Sequence, residues 1–276
     1  MDEQPAPIGI FDSGVGGLSV LREIRRQIPT HPVIYLADQA HVPYGPRSLD
    51  QVRGFAGGIT RFLLALGARE IVVACNTASA AALHGLRQLY PQVPFVGMEP
   101  AVKPASQTTR SGVVGILATP ATFQGQLYAS VIDRFARGVK VLESTCPGLV
   151  EEIEAGHLDG PETRRILTAA LQPMLEQGVD RIVLGCTHYP FVIPLIQAIV
   201  GPRVQVIDPA PAVARQAGRV LETAGLLVSA SPPGPVRIFT TGDPTALSRL
   251  LPRLLGEAAR VEQVSWRDEE ILENPA

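Results

Sequence analysis

At 276 residues, 46% of them hydrophobic, the chain is long enough to bury a sizeable core and to form one large or two medium domains. A formal net charge of -2 with no dense basic run excludes the electrostatic footprint of a nucleic-acid binder. Three cysteines, at 75, 146 and 186, are odd in number, far apart and without zinc-ligand spacing, which fits free thiols in a reducing compartment and no metal site.

The opening, Met1 to Pro7, has no positive n-region or apolar h-region, and no apolar run reaches the length of a membrane span, so a cytoplasmic protein with no membrane partner is expected. From there, strands alternate with helical patterns, the signature of βαβ units and parallel sheets. Ile8 to Phe11 reads as a strand, followed by the turn Asp12-Ser13-Gly14-Val15-Gly16-Gly17. Leu18, Leu21, Ile24 and Ile28 then keep helical spacing. Val33 to Leu36 is the next strand. Ser48 and Gln51 stand three apart like a capping box, leading into the helix stripe Val52, Phe55, Ile59, Phe62 and Leu66. After Phe95-Val96-Gly97, Pro94, Pro100 and Pro104 bracket a crossing between domains. Lys103, before Pro104, reads as loop and Lys140 as part of the strand Val139 to Leu142, so neither lysine of the chain is placed for a pyridoxal phosphate Schiff base. A helix over about Pro211 to Leu226 and the segments Val236 to Thr240 and Ala259 to Val264 complete the chain.

The most informative feature is a duplication. Ile71-Val72-Val73-Ala74-Cys75-Asn76-Thr77 and Ile182-Val183-Leu184-Gly185-Cys186-Thr187-His188 each carry a short apolar strand, a small residue and a cysteine followed by polar side chains. Each cysteine falls at a strand's C-terminal end, where ligands bind in open α/β sheets. Val113 to Thr119 matches Gly9 to Ser13 in order, so two similar halves are expected, each with a glycine strand and a cysteine strand. A single buried cysteine is normally inert; two in matching contexts point to a pair of opposed thiols. Asn76, Thr77, Ser79 and Thr187 supply hydrogen-bond donors beside them, and helix N-termini at both motifs would lower the thiol pKa values. Taken alone, Asp12 reads as a cap or Asx turn, His188 as a satisfied polar residue, and Pro43-Tyr44-Gly45 as a turn. Gly14, Gly16 and Gly17 lack dinucleotide-fingerprint spacing; they allow a tight turn and leave backbone N–H groups free for an anion.

Taken together, Gly9 to Gly17, Pro43-Tyr44-Gly45, Ala74 to Ser79, Gly185 to Pro190 and Thr240-Thr241-Gly242-Asp243 resemble the glutamate racemases of the cofactor-independent aspartate/glutamate racemase superfamily. That resemblance implies an α/β fold: two parallel-sheet domains related by a pseudo-twofold axis, with the active site in the cleft between them. The expected division is 1-97 plus 208-276 for the domain carrying Cys75, and 98-207 for the domain carrying Cys186. The implied activity is interconversion of L- and D-glutamate by two cysteines without cofactors, supplying D-glutamate for peptidoglycan. The resemblance further implies that Asp12 assists Cys75, that His188 and Glu154 assist Cys186, and that Ser13, Tyr44, Gly45, Asn76, Thr77 and Thr187 join Asp12 and His188 in holding glutamate. Relatives often carry proline where this chain has Glu151, so Glu151 and Glu152 rival Glu154. Cys146 has no partner motif and reads as structural. A homodimer is left open. An aspartate or hydantoin racemase would share the thiols but carry glutamate at the position of His188; a non-catalytic binding protein on the same scaffold would have lost a cysteine.

Overall fold

The structure, a computed structural model, describes residues 6–227 and 233–273; the acidic opening from Met1 to Pro5 lies outside the described residues. The chain begins β1 (Ile8–Asp12), α1 (Leu18–Gln27), β2 (Val33–Ala37), α2 (Leu49–Ala65), β3 (Glu70–Val73), α3 (Asn76–Leu89) and β4 (Phe95–Gly97). It continues α4 (Val102–Thr108), β5 (Val113–Ala118), α5 (Pro120–Gln124), α6 (Gln126–Phe135), β6 (Lys140–Ser144), α7 (Leu149–Glu154), α8 (Pro161–Glu176) and β7 (Arg181–Gly185). A 3-10 turn (Tyr189–Val192), α9 (Ile193–Val200) and β8 (Gln205–Ile207) follow. The chain closes with α10 (Ala210–Thr223), β9 (Val236–Thr240), α11 (Pro244–Leu254), β10 (Val261–Arg267) and β11 (Glu270–Glu273).

Two sheets result, one ordered β11-β10-β9-β2-β1-β3-β4 and the other β6-β5-β7-β8. All pairings are parallel except β10 with β11. The run β2-β1-β3-β4 has the same order as β6-β5-β7-β8, so the two halves repeat one topology. Register extends the match: Phe11 pairs with Val73 and Leu117 with Leu184, each partner two residues before a cysteine. Even the close packing repeats. A Cβ built at Gly9 would lie 2.9 Å from Ile71 Cδ1, and one at Gly115 would lie 2.6 Å from Ile182 Cδ1, so the cysteine strand's first isoleucine excludes a side chain at both places.

Strands β1, β2 and β3 are buried on both faces, as the centre of a parallel sheet covered by helices requires. Phe11, Ile34, Leu36, Ile71 and Val73 pack under α2 and α3. Ile8, Ile10, Tyr35 and Val72 lie in a cluster that continues through α1 and α10 into Leu117, Ile182 and Leu184 of the second sheet. The Ser48 and Gln51 capping box starts α2 as its spacing predicts.

Three sequence expectations change. Lys103 lies in α4, not a loop, because Pro104 occupies the helix's first turn, where its missing N–H has no partner to lose. The last segment forms β10 with an added antiparallel strand, β11. The helix expected over Pro211 to Leu226 ends earlier, at Thr223.

Candidate active site

The C-terminal ends of β1, β3, β5 and β7 converge on one small cavity, lined by Ser13, Pro43, Tyr44, Gly45, Cys75, Asn76, Thr77, Thr119, Val150, Cys186, Thr187 and His188. Both thiols are buried and free. Cys75 is the N-cap of α3: its Sγ accepts a hydrogen bond from Ala78 N–H at 3.4 Å and lies 4.0 Å from Ser13 Oγ. Cys186 instead precedes a turn and a 3-10 segment before α9 begins, so only the first cysteine has the expected helix terminus. That terminus does not lower its pKa. Burial, reinforced by the Asp12 charge, pushes the Cys75 thiol up and keeps it protonated.

Cys186 has a different neighbour. Its Sγ is 3.7 Å from His188 Nδ1, and His188 Nε2 is 2.6 Å from Glu154 Oε1. Burial opposes a charge on His188, but hydrogen bonds and charges from Cys186 and Glu154 outweigh it and raise the imidazole well above its usual value. For Glu154, burial is likewise outweighed by the His188 hydrogen bond and charge, which hold the carboxyl low. The pair is therefore imidazolium with carboxylate, and it puts positive charge beside Cys186, where a thiolate needs it. Of the three rival glutamates, Glu154 makes this contact; Glu152 faces His157 at 3.3 Å and Glu151 is exposed.

Asp12 ends β1 fully buried, accepting from Gly14 N–H at 2.9 Å and from the Thr187 hydroxyl at 2.8 Å. Burial raises its carboxyl to about 6 against the lowering pull of His188 and these two donors. The carboxylates thus cross over. Asp12, on the Cys75 side, is held by Thr187 beside Cys186, while Glu154 accepts at 2.7 Å from Val15 N–H in the glycine loop after β1.

The glycine loop differs from expectation in that two of its N–H groups are already committed to Asp12 and Glu154. Gly14, Gly16 and Gly17 do not take positive φ. What they permit is close approach: a Cβ at Gly16 would lie 2.5 Å from His188 Nδ1. Ser79 also departs, since its hydroxyl donates to Val73 O and accepts from Met98 N–H, bracing β4 instead of facing the cavity. Tyr44 lines the cavity with its hydroxyl given to Asp38 at 2.6 Å, and Gly45 packs tightly on Thr119, where an added Cβ would lie 3.1 Å from Thr119 Cβ. Cys146 is buried with φ 45 in the turn before α7, its thiol pushed up to about 12 by burial.

Thr77 Oγ1 shares a 2.8 Å hydrogen bond with Thr119 Oγ1, but both polar atoms of the Asn76 amide are buried without a partner. An orphaned buried amide costs roughly 1–3 kcal/mol, and both ends of the Asn76 amide are open to a hydrogen-bonding partner in the cavity. Sequence reasoning missed Thr119, Gln39 and Asp38. Their one available signal was position, since each lies within two residues of a strand's C-terminal end, at the same sheet edge as the cysteines.

Residues 8–217 match the Asp/Glu/Hydantoin racemase family profile. The glutamate racemase of Roseiflexus sp. (strain RS-1) is 52% identical, over 95% of this chain and 97% of that protein. Among solved structures, a glutamate racemase isoform of Bacillus anthracis superposes with TM-score 0.86 at 32% identity, covering 97% of this chain and all of that one. The Francisella tularensis glutamate racemase in complex with D-glutamate superposes at 0.82 with 28% identity, over 95% of this chain and 98% of that one. With paired thiols at matching strand ends and this likeness along nearly its whole length, the chain belongs to the Asp/Glu/hydantoin racemase family, among its glutamate racemases.

Proposed function

We propose that the chain interconverts L- and D-glutamate by moving the Cα proton between Cys75 and Cys186, with no metal, flavin or pyridoxal phosphate, and that it supplies D-glutamate for peptidoglycan in the cytoplasm. The observation that carries this reading is the pair of thiols at corresponding ends of β3 and β7 lining one cavity with the unpartnered Asn76 amide. In the L-to-D direction the Cys186 thiolate takes the Cα proton and becomes a thiol, and the electron pair left on Cα spreads into the α-carboxylate. The Cys75 thiol then gives its proton to the opposite face and is left as thiolate. The reverse direction exchanges the roles, and solvent exchange resets the thiols.

The unequal surroundings suit this division. Protonated His188, anchored by Glu154, stabilises negative charge on Cys186, while buried Cys75 starts as the proton donor with Asp12 to receive or return its proton. Ser13, Tyr44, Gly45, Asn76, Thr77 and Thr187 hold the substrate with Asp12 and His188, and Thr119 extends that set through Thr77. The D-glutamate complex of the Francisella relative supports glutamate as the ligand. We assign residues 1-97 plus 208-276 to one domain and 98-207 to the other.

The test is to dialyse the protein against chelator and follow optical rotation with each glutamate enantiomer. Rotation should decay to zero from both sides, with aspartate a poor substrate. Activity that appears only with added metal or pyridoxal phosphate, or comparable turnover of aspartate, would overturn the assignment.

A further inference from the structure

The Thr240-Thr241-Gly242 turn at the end of β9 is not among the residues lining the cavity, yet a directed chain of hydrogen bonds leads from it to Cys186. Gly242 N–H donates to Thr240 Oγ1 at 3.0 Å, and the fully buried Thr240 hydroxyl donates to Gln39 Oε1 at 2.8 Å. Gln39 Nε2 donates to Glu154 Oε2 at 2.9 Å, leaving Oε1 for His188 Nε2 at 2.6 Å and Val15 N–H at 2.7 Å. His188 Nδ1 is then 3.7 Å from Cys186 Sγ.

Each link fixes the next. With Gly242 donating to it, the Thr240 hydroxyl turns its own proton to an acceptor, which must be the amide oxygen of Gln39. A flipped amide would set its oxygen against a carboxylate oxygen. Both ends of Gln39 therefore demand one orientation, and its N–H₂ always faces Glu154. Gln39 follows β2 and Thr240 ends β9, both in the first sheet, whereas Glu154, His188 and Cys186 belong with the second. The chain thus spans the cleft. A Cβ built at Gly242 would lie 2.8 Å from Gln39 Cβ, so a side chain there pushes against the base of the Gln39 side chain.

We propose that Gln39 is a positioning residue for proton transfer at Cys186: oriented by Thr240 and Gly242, it fixes the Glu154 carboxylate on His188 and so aims His188 Nδ1 at the thiol. Because these partners come from opposite sides of the cleft, the orientation is complete only when the two sheets are closed on each other. The inference rests on the reading above, in which Cys186 removes the proton of L-glutamate.

The experiment measures kcat/KM for both enantiomers, protiated and deuterated at Cα, in Gln39→Leu, Thr240→Val, Thr240→Ser and Gly242→Ala, with Cys186→Ala alongside. Loss of one charge-assisted hydrogen bond should lower kcat/KM for Gln39→Leu roughly 10-fold, and equally in both directions because the enantiomers are equal in free energy. Slowing only the Cys186 step makes that step more rate-limiting, so the ratio of the isotope effect with L-glutamate to that with D-glutamate should rise. Gly242→Ala should behave similarly, Thr240→Val more weakly, and Thr240→Ser should recover most of the loss by keeping the hydroxyl. A role confined to stability would leave the isotope ratio unmoved. An unchanged ratio, or kcat/KM within about twofold of wild type for Gln39→Leu while Cys186→Ala is inactive, would overturn the inference and leave the two-thiol reading standing. An active Cys186→Ala would overturn both.

Discussion

Gly16→Ala offers a sharp test of how tightly the site is built. A methyl group at Gly16 would lie 2.5 Å from His188 Nδ1 and 2.7 Å from both His188 Cε1 and Thr187 Oγ1. Ordinary contact begins at 3.4 Å, so the nearest atom must retreat by 3.4 − 2.5 = 0.9 Å. His188 cannot make that shift freely. It is 2% exposed and its Nε2 is already 2.6 Å from Glu154, so the ring must turn away from Cys186 or from the carboxylate. Thr187 is no softer, since it donates to Asp12 at 2.8 Å. A misplacement of about 1 Å in catalytic geometry costs on the order of 100-fold, and that loss is expected in kcat/KM in both directions. The overpacking itself should destabilise by about 1–3 kcal/mol, which lowers the unfolding midpoint without unfolding the protein at assay temperature. Gly54→Ala, in the exposed face of α2 with nothing within 4 Å, is the control and should keep its activity. Retention of kcat/KM within about threefold of wild type in Gly16→Ala would refute the close packing of the loop on His188.

Two further outcomes follow from buried carboxylates. Glu70 in β3 is fully buried with neither oxygen hydrogen-bonded, and burial raises its carboxyl from 4.5 to about 8. The folded chain thus keeps a proton that the unfolded chain releases above pH 4.5; this contribution to stability is full below that pH and is lost as pH rises toward about 8, at about 1.4 kcal/mol per pH unit. Glu70→Gln should flatten that slope in urea unfolding across the same window, and parallel slopes for the two proteins would rule the account out. Glu154→Gln should lower kcat/KM roughly 10-fold or more, while Glu151→Gln and Glu152→Gln stay near wild type. A larger loss in Glu151→Gln with folding intact would shift the assisting carboxylate by one helical turn.

The cysteine strands were legible because a parallel strand covered on both faces carries a continuous apolar run, here Ile71 to Val73 and Ile182 to Leu184, and a small residue before the cysteine marks its end. The Ser48 and Gln51 cap and the β1 turn were legible for similarly local reasons. Partners across the cleft were not. Glu154 stands among three glutamates, and which of them reaches His188 depends on how α7 meets the second cysteine turn. Gln39 and Thr119 are single polar residues after strands, with no pattern around them. The glycine loop was read as an anion cradle, whereas its glycines leave space for His188 and Glu154 from other segments and for Asp12 at the loop's own start. Helix N-termini were expected to acidify both thiols, but burial dominates at Cys75 and Cys186 lacks the helix start. Strand β11 and helix α4 escaped because the first is short and charged and the second contains a proline.

The claim that two thiols serve opposite faces of Cα is tested most directly by racemisation in deuterated water. Initial-rate samples from each enantiomer would be analysed for deuterium at Cα in product and in remaining substrate. Because one thiol removes the proton and a different, solvent-exchanged thiol returns one, every product molecule should carry deuterium at Cα while the starting enantiomer acquires it more slowly. Product that retains the original proton, or substrate and product labelled at equal rates, would show that a single base does both transfers and would contradict the assignment of Cys75 and Cys186.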